Sequence, residues 1–99
     1  MKSTTELIDD FERDLQSDCL MVIVCVARSK AALQMQEFGQ EVLPAIVVHL
    51  QARKHLDHRQ QLGWSILLRN IAEAVKSSKI PQRNALYDEW LAWAKGEVK

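Results

Sequence analysis

The sequence predicts an all-α domain, with five or six short helices in antiparallel hairpins, and three observations predict it. Apolar residues recur at spacings of three and four along most of the chain. Only three Gly and two Pro are present, fewer turn residues than an all-β domain of this length needs. The 99 residues suit a single helical domain spanning 1–99, with room for one hydrophobic core and not two. Hydrophobic residues at 47% and charged residues at 26% exclude a disordered chain, because there is enough apolar surface to offset the entropy of folding.

The first helix starts at Ser3-Thr4-Thr5-Glu6, a capping-box pattern with Ser3 at N-cap and Glu6 at N3. Leu7, Ile8, Phe11 and Leu15 form its apolar face, and Ser17-Asp18 are expected to end it and to cap the second helix. The run Leu20 to Ala27 reads as a buried helix. A strand is the alternative, since Val22, Ile23, Val24 and Val26 are β-branched. A βαβ unit would pair it with Val42–Leu50, but Pro44 lacks a strand's N–H and two strands make a poor sheet. Ser29 is the expected N-cap of a short helix carrying Ala31, Ala32, Leu33, Met35 and Phe38. Gly39 suits its C-terminal cap, where positive φ is cheap without a Cβ. The next helix begins near Glu41, with Pro44 tolerated in its first turn and Val42, Leu43, Ile46, Val47 and Leu50 as its stripe. Arg53 to Gln61 is a polar connection with Asp57 as N-cap. Trp64, Leu67, Leu68, Ile71 and Val75 mark the clearest helix, with Leu62 just before, and Ser77 to Pro81 break it. The last helix covers about Gln82 to Lys95, with Leu86, Trp90, Trp93 and Ala94 on one face and Gly96 at its end.

The stretch Phe38-Gly39-Gln40-Glu41-Val42-Leu43-Pro44-Ala45-Ile46-Val47-Val48-His49-Leu50 resembles part of a HEAT-type helical repeat. In that family a short helix ends at a small residue, and a second helix, often with an early Pro, lines the inner surface. Cys19 to Phe38 would supply the outer helix, broken near Arg28. The resemblance covers roughly Cys19 to Arg53, and a repeat period of about 40 residues places a second hairpin near Leu62 to Trp93. It implies a HEAT-like arrangement or a simple bundle, and a binding surface rather than chemistry. It names no partner.

The formal net charge is zero, yet residues 1–18 carry two bases and six acids while residues 19–99 carry eleven bases and seven acids. A general nucleic-acid binder is usually more basic. The first apolar cluster, Leu7-Ile8, sits among acids, unlike the core of a secretory signal. The longest apolar run, Cys19 to Ala27, is nine residues against the roughly 20 of a membrane span, so no membrane partner is expected. On one continuous helix Cys19 and Cys25 would stand about 9 Å apart along the axis, too far for a disulfide. Free buried thiols, a reducing compartment and a cytoplasmic location are the expectation.

No pattern carries catalytic chemistry, and neither enzyme activity nor a cofactor is expected. His49, His55 and His58 do not match an established zinc spacing, so no metal is expected. Cys19 and Cys25 lie in apolar surroundings that keep a thiol protonated. Asp9-Asp10 and Asp88-Glu89 are adjacent and diverge on a helix. The glycines at 39, 63 and 96 stand alone, so no phosphate loop exists. Surface recognition of another protein remains. If the second helix of each hairpin lines one face, partner contact falls on His49, Arg53, Tyr87, Asp88, Trp90 and Trp93, with Gln40 and Lys95 at the border. Tyr87 and one of Trp90 or Trp93 are the expected anchors, because three tryptophans strain so small a core. Two indoles on a terminal helix are more often core or packing seam, and whether Trp90 and Trp93 are core or interface stays open. Two other functions stay open: an immunity or anti-toxin type inhibitor, and phosphate or nucleic-acid binding through the Arg53–Arg59 basic cluster with Lys54, His55 and His58. Partner identity and oligomeric state are not written in the sequence.

Overall fold

The computed structural model describes residues 3–16, 20–53, 55–82 and 85–98, and every regular element among them is helical. The order is α1 (Thr4–Leu15), α2 (Val22–Arg28), α3 (Lys30–Phe38), a 3-10 turn (Gly39–Val42), α4 (Leu43–Ala52), α5 (His58–Ala74) and α6 (Tyr87–Glu97). No described helix is long and apolar enough to cross a membrane.

Local chemistry sets most of these starts and stops. The Ser3 hydroxyl oxygen accepts from the Glu6 N–H at 3.2 Å and opens α1. Glu6 returns to the Ser3 hydroxyl at 3.3 Å rather than to its backbone, so the box is half formed. Ser29 caps α3 through the Ala32 N–H at 3.1 Å, and its own hydroxyl donates to Asp14 at 2.6 Å. Asp57 and Gln60 make the full reciprocal box at the head of α5, with bonds of 2.7 and 3.3 Å. Gly39 ends α3 at φ 61 and ψ −127, a region in which a Cβ is strained. Pro44 lies in the first turn of α4 as expected.

Leu20–Ala27 resolves in favour of helix. Val22, Cys25 and Val26 are buried, a spacing of three and one that only a helix turns to one side. The run is only half a core, because Leu20, Met21 and Ile23 are exposed. Met21 caps α2 in an extended conformation and without a side-chain bond. The expected cap at Ser17-Asp18 lies outside the described residues. Cys25 is disulfide-bonded, and no described cysteine is free. The separation that spoke against a disulfide requires helix from Cys19 onward, and the rise of 1.5 Å per residue does not apply before Val22. Cys19 lies outside the described residues. The expectation of free thiols is corrected, and the reducing compartment inferred from them loses its support.

α5 is the axis of the core. It packs against α1, α2, α3 and α6, while α4 joins through α6, α1 and the 3-10 turn. Trp64, Leu67, Leu68 and Ile71 are wholly buried along it. Gly63 marks a close approach of α1: a Cβ there would stand 2.5 Å from a Leu15 methyl. α5 ends before the Ser77 break, with Lys76 in the left-handed region at φ 55. The Ser77 N–H then reaches the Ala72 carbonyl at 3.2 Å and the Lys76 N–H reaches that of Glu73 at 3.3 Å, the pairing of a Schellman turn.

α6 starts five residues later than the expected Gln82. Glu89 accepts from the Leu86 N–H at 2.9 Å and fixes the start at Tyr87. Leu86 therefore lies off the helix and is 75% exposed, not on the apolar face with Trp90. The helix runs through Gly96 to Glu97. All three tryptophans are buried, Trp64 and Trp90 almost completely and Trp93 at 7% exposure. The small core holds them, and two of the three have their polar edges bonded: Trp64 Nε1 donates to Glu12 at 3.2 Å and Trp93 Nε1 to Ser77 at 3.0 Å. Neither Trp90 nor Trp93 is exposed as an anchor.

Candidate functional site

Glu12 is the electrostatic centre of the face on which partner contact was expected. It sits one residue after the buried Phe11 and its side chain is only 13% exposed. Arg53 Nη1, at the C-cap of α4, donates to it at 3.0 Å, Trp64 Nε1 of α5 at 3.2 Å, and His49 Nε2 of α4 lies 3.2 Å away. The His49 nitrogen is buried and its contact lacks hydrogen-bond alignment, so it is a close neighbour of the carboxylate rather than a bonded donor. The His49 ring tilts against Trp64, with centroids 5.9 Å apart. Three helices thus converge on one carboxylate. Sequence reasoning missed Glu12. Its partners lie 41 and 52 residues away in sequence, and a lone acid on an amphipathic helix carries no sign of them.

Beside this centre, α4 and α6 pack together and leave a depression of about 500 Å³. Arg53, Leu56, Tyr87, Asp88, Leu91 and Lys95 line it. Leu56 and Leu91 are half-buried and form an apolar floor, while Arg53, Asp88 and Lys95 are exposed around it. Arg53, Tyr87 and Asp88 are thereby brought together as expected. His49 stands back in the Glu12 contact, and Trp90 and Trp93 are in the core. The Tyr87 phenol is held above its ordinary pKa of 10.0, first by burial, then by the negative charges of Asp88 and Glu12, with Arg53 opposing. At neutral pH it is an uncharged hydroxyl on an aromatic ring, half in and half out of the surface.

A second depression of about 470 Å³ adjoins the first across Gln61, Tyr87 and Asp88. It runs between α5 and the segment before α6. Leu62 at 42% exposure and Leu86 at 75% open its apolar lining to solvent, with Ile66 beneath. His58 and Arg69 border it on the α5 side and Asp88 on the other. Sequence reasoning placed Leu62 beside the core stripe and Leu86 on the buried face of the last helix. The early turn of α5 and the late start of α6 turn both outward.

Among the described residues the Arg53–Arg59 basic cluster does not form one surface. Arg53 is paired with Glu12. Arg59 turns inward, donating to the Leu15 carbonyl and, at 3.1 Å, to the Cys25 sulfur. His55 and His58 are exposed, and Lys54 lies outside the described residues. Among the described residues no three His, Cys, Asp or Glu side chains are placed to hold a metal ion. No protein-family model, curated protein or solved structure matches the chain.

Proposed function

We propose that this chain is a small helical protein-recognition module with no catalytic chemistry of its own, and that it holds a partner protein at the depression between α4 and α6. One observation carries the reading. Residues far apart in sequence, Arg53, Tyr87, Asp88 and Lys95, rim a single depression floored by Leu56 and Leu91. An apolar floor, a neutral tyrosine and a charged rim are the usual anatomy of a protein contact. The resemblance to HEAT-type repeats supports the same face, since it assigns α4 and α6 to the recognition side. An inhibitor of the immunity type would use such a face in the same way. The inward turn of Arg59 and the pairing of Arg53 leave the nucleic-acid reading without a continuous cationic patch among the described residues.

The test compares the protein with Tyr87→Ala and Lys95→Glu as baits in the source organism's extract, followed by measured affinities for any protein retained. Both positions lie outside the core, so helical circular dichroism should be unchanged. Truncating an aromatic anchor should weaken binding by about 2 kcal/mol or more. A partner held equally by the protein and both variants rules the depression out as the binding face.

A further inference from the structure

We propose that the groove between Leu62 and Leu86 is a self-association surface, at which two copies of this chain pair across a two-fold axis with Arg69 of each facing Asp88 of the other. This contact shares Tyr87 and Asp88 with the one at Arg53, whereas Leu86 and Arg69 line the groove alone and so distinguish the two. The groove has an unpartnered apolar lining: Leu62 and Leu86 are 42% and 75% exposed, and Ile66 lies one helical turn from Leu62 along the same α5 face. Its two walls differ in charge. The α5 wall carries Arg69 and His58, and the opposite wall carries Asp88. Among the described residues neither the Arg69 nor the Asp88 side chain makes an ion pair or hydrogen bond. A basic wall and an acidic wall flanking an apolar centre are complementary to their own copy turned through 180°. A net charge of zero removes the overall repulsion that keeps many small proteins apart. An unrelated partner would need its own matching pair of charges, whereas a second copy already has them.

Sedimentation equilibrium of the full chain should show a monomer–dimer exchange that depends on concentration. Leu86→Asp should raise the dissociation constant by about tenfold or more, and Arg69→Glu and Asp88→Arg should each do the same, because each charge reversal creates two like-charge contacts in the pair, one on either side of the axis. The double variant Arg69→Glu/Asp88→Arg should return most of the affinity, since the reversed walls again match. All of these substitutions lie outside the core, and circular dichroism checks the fold of each variant. A chain that stays monomeric at every accessible concentration overturns the proposal. So does a dimer indifferent to Leu86→Asp, or a double variant as weak as the singles. A different protein bound in the groove by a monomeric chain, and released by Leu86→Asp, overturns it in favour of that partner.

Discussion

Tyr87 is the only tyrosine of the chain, so its ionisation is readable in isolation by ultraviolet difference absorption. Burial raises its pKa above 10.0, Asp88 and Glu12 raise it further, and Arg53 pulls it down. The midpoint should therefore lie above 10.0, should fall toward that value in Asp88→Asn, and should climb in Arg53→Ala. Because the native pKa is raised, the stability linked to this proton is fully present below the unfolded phenol's pKa. It is lost as pH rises through the higher native value. An ordinary midpoint, unmoved by either substitution, would place the phenol in open solvent away from Glu12. At this scale the candidate face was half legible. Tyr87, Arg53 and Asp88 could be named as candidates because helical phase and polarity mark them, and they line one depression. Glu12 was not, because a carboxylate's worth depends on which distant helices close over it. Whether Trp90 and Trp93 belong to the core or to an interface was not legible for a related reason. Hydrophobic crowding can be counted in a sequence, but the Ser77 acceptor that lets Trp93 stay buried cannot.

Helix caps were the most legible feature at the level of elements, since a cap is settled within four residues. Ser3, Ser29 and Asp57 each bind the N–H three positions on. The failures are where a tertiary contact or an unusual end decides. α6 starts late because Glu89 captures the Leu86 N–H, and α5 ends on a left-handed Lys76 rather than a glycine. Gly63 tests how closely two elements approach. It lies inside α5, where Ala is favoured over Gly by roughly 0.5–1 kcal/mol. Yet its Cβ would fall 2.5–2.6 Å from both Leu15 methyls, and Leu15 is wholly buried with nowhere to move. Overpacking of this kind costs about 1–3 kcal/mol, so the clash wins. Gly63→Ala should lower stability in urea denaturation. In a Leu15→Ala background, where the space is open, the same change should be neutral or stabilising, giving a clear coupling energy. Stabilisation in both backgrounds would mean that α1 and α5 lie farther apart.

The whole molecule depends on α5. A radius of gyration of 12.2 Å fits one domain of this length, for which about 13 Å is usual. Four of the five other α-helices pack extensively against α5, and α4 meets it through His49 on Trp64 while packing mainly on α6 and α1. The sequence marked α5 as the clearest helix, and its stripe of Trp64, Leu67, Leu68 and Ile71 is the centre of the core. The choice of partners for each helix, and hence the grooves beside α6, was not legible, because spacing along the chain says which face is buried but not against what. Such a hub leaves no set of helices able to keep a core without it, so unfolding should be a single cooperative step. Leu68 is wholly buried at the middle of α5. Leu68→Ala should cost about 2–5 kcal/mol through lost transfer energy and the cavity left behind. Two signals then report different parts of the molecule. Helical circular dichroism averages all the helices, while tryptophan fluorescence reports Trp64 in α5 and Trp90 and Trp93 in α6. Both should move to lower denaturant together and by the same amount in Leu68→Ala. A fluorescence transition that separates from the helical one would mean that α5 and α6 form a unit of their own. A cost below about 1 kcal/mol would mean that Leu68 does not face the centre of the core.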